Sequence, residues 1–234
     1  MSQIAAAVTL GSTAISGTFA AHVFLQYRQR RKPHQLTWGF GLLMFSLAAL
    51  CEFLSETIGW SAGLYRVYYT IAPSLVAVLG LGSAFLLSDK RIAKAFAVYT
   101  AVLFVLLMYF ILATDVNTSA FAPDTIVGGN GWPAGSMPRA FSPLFTIPGS
   151  ILLIGIAAYS FWRGRAVFNL FIGAGALVVA AGGALSRFSI PAALYLSELT
   201  GIALMYAGFI QSVELISRRE EGVRAAARAG GSRE

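Results

Sequence analysis

Long apolar stretches separated by short polar gaps run the length of the chain, and the gaps alternate between basic and nearly uncharged. A hydrocarbon core takes about twenty apolar residues per helix. That length places spans at residues 4–26, 36–59, 64–87, 92–113, 143–162, 167–185 and 192–216. The pattern predicts an all-α fold, a polytopic seven-transmembrane-helix bundle followed by a basic tail over 217–234. Composition agrees: 57% of residues are hydrophobic and 12% charged, against roughly a quarter charged in soluble domains.

The basic gaps assign sides. Residues 27–35 carry Arg28, Arg30, Arg31 and Lys32; residues 88–94 carry Lys90, Arg91 and Lys94; Arg163 and Arg165 follow the fifth span, and Arg218, Arg219, Arg224, Arg228 and Arg233 lie in the tail. The opposite gaps hold only Arg66, Arg139 and Arg187. Because basic loops stay in the cytoplasm, the amino terminus is expected outside and the carboxyl terminus inside, in a multi-pass protein of the cell membrane. The net charge of +7 is thus explained by topology, and nucleic acid is not expected as a partner. The first span has no basic residue before it and several after it, so it is expected to be retained rather than cleaved as a signal peptide. Tyr27, Trp38, Trp60 and Trp162 fall at span boundaries, where aromatic side chains anchor helices to the interface.

The gap over 114–142 differs from the rest in length and in its Gly128-Gly129-Asn130-Gly131-Trp132-Pro133 run. Its apolar members, Phe121, Ile126, Val127, Trp132 and Phe141, predict a loop folded back over the outer mouth of the bundle. Small residues at four-residue spacing let helices approach closely in lipid. The first and sixth spans are rich in them (Gly11, Ser12, Ser16, Gly17; Gly173, Gly175, Gly182, Gly183), and both are expected to be central. Residues 61–65 and 191–195 echo each other, which would suit two three-helix repeats joined by the fourth span.

Ionisable groups within the bilayer are costly and mark function. Glu52 and Glu56 lie one turn apart on one face of the second span, and Glu198 lies in the seventh. The topology puts all three in the outer half, on the side of Arg66, Arg187 and Arg139, with Tyr68, Tyr69 and Tyr195 close in depth. Two like charges at adjacent turns repel unless a proton or an arginine neutralises one. The expected site is therefore an outward-facing ligand-binding or proton-titrating cavity formed by Glu52, Glu56, Arg66, Tyr69, Arg187, Tyr195 and Glu198. The plainer alternative leaves Glu56 interfacial and ties Glu52 and Glu198 to arginines or tyrosine hydroxyls for packing.

Several chemistries lack their residues. A retinal Schiff base needs a lysine within the membrane, whereas Lys32, Lys90 and Lys94 all lie in gaps. A bis-histidine haem is not expected from His22 and His34 alone, and clustered histidines for a hydrolytic metal are missing as well. Asp89, Asp115 and Asp124 fall outside the spans, and no positioned base accompanies a serine. No catalytic residue and no metal site is assigned, the cofactor is left open, and an enzyme is the less favoured class.

Arg31-Lys32-Pro33-His34 leading to Trp38, Leu64-Tyr65-Arg66-Val67-Tyr68-Tyr69, and Ser142-Pro143-Leu144-Phe145-Thr146-Ile147-Pro148-Gly149 resemble segments of uncharacterised seven-helix membrane proteins of bacteria. That resemblance implies the topology and no activity. Three functions remain open: a ligand-binding or sensory module that takes a small or amphipathic ligand and acts through a membrane-protein partner, a small carrier, proton-coupled or not, and an accessory subunit of a membrane complex.

Overall fold

The computed structural model describes residues 3–121, 127–185 and 191–230. Among them lie seven helices long and apolar enough to cross a membrane, a short 3-10 turn over Thr118–Ala120, and no strand. The protein is a multi-pass membrane protein surrounded by a lipid bilayer. The helices are α1 (Gln3–Arg30), α2 (Pro33–Ile58), α3 (Ala62–Ala84), α4 (Lys90–Ala113), α5 (Met137–Gly164), α6 (Val167–Leu185) and α7 (Pro191–Gly230).

Local chemistry sets their ends. Pro33 opens α2 where its missing N–H costs nothing. The hydroxyl of Ser61 accepts from the Leu64 amide and the carboxylate of Asp89 from the Arg91 amide, each satisfying a free donor in a first turn. Two differences from the sequence reading concern boundaries. Met137–Phe141, placed in the loop by hydropathy, already belong to α5, and the tail continues α7 as helix to Gly230.

Six helices close a ring in chain order: α1 packs on α2, α2 on α3, α3 on α5, α5 on α6, α6 on α7, and α7 back on α1. Helix α4 leans from outside on α3 and α5. It is also the most apolar span, with mean hydropathy 2.5 and only 17% of its apolar window buried, as a lipid-facing helix should be. The ring leaves three helices on either side of α4. Any chain-order ring does so, and the arrangement adds nothing to the short sequence echo.

The most enclosed span is α3, with 56% of its window buried against 28% in α1 and 22% in α6. Helix α3, rather than the two small-residue helices, is central. The reason is a close crossing that length and hydropathy do not register: a Cβ on Gly80 would lie 2.5 Å from the Gly149 carbonyl oxygen, and one on Gly149 would lie 2.6 Å from that of Val76. Only glycine on both helices lets α3 and α5 touch backbone to backbone. The stripe in α6 does serve close approach, but to α7, where Gly175 faces Gly201.

The described part of the long loop folds inward as expected, over α3, α4 and α5. Trp132 and Val127 are buried with Tyr65, Tyr69, Leu107, Ile111, Phe141 and Phe145. The hydroxyl of Tyr65 donates to the Gly128 carbonyl at 2.7 Å, and the Asn117 amide to Gly131 at 2.8 Å.

Candidate functional site

Helical spacing sets Ala48, Ala49, Glu52, Ser55 and Glu56 along one side of α2, and the first four of these are buried. Glu52 is only 2% exposed. Its Oε1 accepts a hydrogen bond from the Tyr68 hydroxyl of α3 at 2.8 Å. Glu198 of α7 lies close enough to Glu52 for the two carboxyl groups to interact directly. One turn nearer the end of α2, Glu56 accepts from the Tyr195 hydroxyl of α7, again at 2.8 Å. Three helices thus meet through three carboxyl groups and two phenols.

Proton bookkeeping distinguishes this cluster. Each phenol supplies one donor, and both are already used. Glu52 Oε2 is fully enclosed and has no hydrogen-bond partner among the described residues. The remaining neighbour is a second carboxyl, which accepts only unless it is protonated. The Glu52–Glu198 contact is therefore a hydrogen bond when one proton lies between the two groups and a repulsion of like charges when none does. Close by, a Cβ on Gly11 of α1 would lie 3.4 Å from Leu199, and the hydroxyl of its neighbour Ser12 is buried with no partner among the described residues.

Two of the three expected arginine partners, Arg66 and Arg139, lie elsewhere. Arg66 turns to the end of α4, donating to the Leu112 carbonyl at 3.4 Å and the Thr114 carbonyl at 3.1 Å. It satisfies carbonyls that α4 leaves open at its last turn. Among the described residues, the groups acting on Glu52 and Glu198 are one another, Tyr68 and Glu56, none of them basic. Arg139 reaches toward Asn130 in the loop at 3.5 Å. Arg187 lies outside the described residues. Tyr69 joins Tyr65 and Trp132 in the aromatic plug beneath the loop, with ring centroids 5.7 Å from each.

Of the residues expected at the site, Glu52, Glu56, Tyr195 and Glu198 come together, while Arg66 and Tyr69 do not join them. Tyr68 takes the place that the sequence reading gave to Tyr69. Helical periodicity carries a signal for this: Tyr65 and Tyr69 share a face, and Tyr68 points about 100° away.

Toward the basic ends of the helices the cluster is closed by hydrocarbon. Ile202 and Met205 follow Glu198 on α7, Phe45 and Leu42 precede Glu52 on α2, and with Phe19 of α1 they form one buried apolar core. Beyond it, the Tyr206 hydroxyl and His22 Nδ1 share a 2.6 Å hydrogen bond. Among the described residues no three His, Cys, Asp or Glu side chains are grouped to hold a metal ion.

Comparison with known proteins adds nothing to this geometry: no family model, no curated protein and no solved structure matches the chain.

Proposed function

We propose that the protein is a sensory membrane module whose Glu52–Glu198 pair takes up and releases a proton from the outer face. In this reading the amino terminus is outside, the carboxyl terminus is cytoplasmic, and a membrane partner receives the response. The observation that carries the proposal is the close approach of Glu198 to the buried Glu52 carboxyl, with no basic group acting on either among the described residues. Its sign, attraction or repulsion, depends on a single proton. Helix α7 suits transmission, since it bears Tyr195 and Glu198 and continues without a break to Gly230, beyond its apolar span of Ala193–Leu215. The apolar core between the pair and the basic ends favours exchange with one side only.

The test is infrared difference spectroscopy of the protein in lipid nanodiscs between acidic and alkaline buffer. A protonated-carboxyl C=O band should change in the wild type and be lost in both Glu52→Gln and Glu198→Gln. A band that persists in both variants would end this reading. A proton-coupled carrier is the second reading, resting on the same carboxyl groups gathered where α2, α3 and α7 meet. It requires pH-driven solute flux in vesicles that Glu52→Gln abolishes.

A further inference from the structure

On the opposite flank of the bundle, α4 and α5 enclose an apolar groove of about 510 Å³, lined by Ile92, Phe96 and Tyr99 on one wall and Pro148, Ile151 and Leu152 on the other. Its origin is the Gly80–Gly149 crossing. That contact draws α5 onto α3, so α4, resting across both, stands off from α5 along its first turns. Pro148 shapes the same place. Lacking an N–H, it frees the Leu144 carbonyl, and the Tyr99 hydroxyl donates to that oxygen at 2.8 Å. This bond ties the two helices at one end of the groove and leaves it open toward their basic ends.

The charges at that open end are positive. Arg91 is exposed one turn before Ala95, a further lining residue. On α5, helical spacing continues the face of Pro148 and Leu152 through Gly155 and Tyr159 to Arg163. A Cβ on Gly155 would meet nothing within 4 Å, and Arg163 donates to the Tyr159 hydroxyl at 3.0 Å. Lys90 is turned back onto the Phe85 and Leu87 carbonyls at the end of α3, and Asp89 is used in capping α4. Arg91, next to the lining residue Ile92, is exposed at the groove mouth, and Arg163 lies on the continuing face of α5 about 16 Å of helix rise beyond Leu152.

We propose that this groove is a binding site for one anionic phospholipid of the leaflet at the basic ends. One acyl chain lies along Ile92 to Tyr99, over about 10 Å of helix rise, and the phosphate sits at Arg91, with Arg163 adding positive charge farther along α5. An apolar slot alone would accept any lipid, and the two arginines supply the selection for negative charge. The site is independent of the carboxyl pair, and neither depends on the other.

Native mass spectrometry of the full chain, released from nanodiscs holding equal amounts of phosphatidylglycerol and phosphatidylcholine, tests the site. The wild type should retain one phosphatidylglycerol per chain in at least several-fold preference. Ala95→Trp fills the groove and should remove that lipid. Ala101→Trp, a like change on the opposite, exposed side of α4, should keep it. Arg91→Gln with Arg163→Gln should bring retention of the two lipids to parity. Equal retention of both lipids by the wild type, or unchanged retention of phosphatidylglycerol in Ala95→Trp, would overturn the proposal. So would a groove protected by a second copy of the chain, seen as a lipid-free dimer.

Discussion

Truncating Glu198 and Glu52 singly and together separates a shared-proton contact from incidental packing. Glu198→Leu removes the carboxyl group beside Glu52, whose Oε2 is fully enclosed and has no other donor among the described residues. A buried acceptor stripped of its donor costs about 1–3 kcal/mol. Glu52→Leu should cost a comparable amount, because it strands the Tyr68 hydroxyl as well as Glu198. The double variant replaces both acidic members by hydrocarbon, which in buried polar pairs is often neutral or stabilising. It should therefore be no less stable than either single variant, a coupling of at least about 1 kcal/mol against additivity. Glu198→Gln, whose amide N–H can donate to Oε2, should lie within about 0.5 kcal/mol of the wild type. Reversible unfolding in mixed micelles at one fixed neutral pH measures all of these. If the single losses simply add, within about 0.5 kcal/mol, the two carboxyl groups do not interact and the proposed site has no basis.

Three further outcomes follow from the geometry. Tyr68→Phe should destabilise the same preparation by about 1 kcal/mol, whereas Tyr69→Phe should leave the infrared signature of the carboxyl pair unchanged, since Tyr69 packs in the plug beneath the loop. Arg66→Ala should fray the end of α4, read as faster hydrogen exchange at Ile111–Thr114 and a loss of about 1 kcal/mol, again without altering that signature. Gly149→Leu must push α5 off α3, because even a Cβ there would lie 2.6 Å from the Val76 carbonyl oxygen. A loss of about 1–3 kcal/mol is expected, and a stability equal to wild type would mean that the two helices do not cross there.

Hydropathy was a reliable guide to the spans because a bilayer demands apolar length irrespective of what each helix touches. It was less reliable at helix ends. Met137–Phe141 extend α5 although Pro138 and Arg139 read as loop, since proline in a first turn is compatible with a helix. Burial cost alone also singled out Glu52 and Glu198 as residues needing partners. The choice of partner was different. Arg66 was the obvious counterion by depth and charge, yet its guanidinium goes to the open carbonyls of α4, a demand visible only once α4 is seen to end beside it.

By itself, then, the amino-acid order determined the number of crossings, the basic and the nearly uncharged ends of the bundle, and the carboxylates that pay the cost of the membrane interior. These follow from one-dimensional quantities, apolar length and charge position. Only the tertiary structure decided that Glu52 meets Glu198 rather than Arg66, that Tyr68 rather than Tyr69 joins them, that α3 is central, and that α4 stands apart to leave a groove. Each of these depends on how helices rotate about their axes and where glycines let backbones touch, and neither is fixed by the sequence of a single helix taken alone.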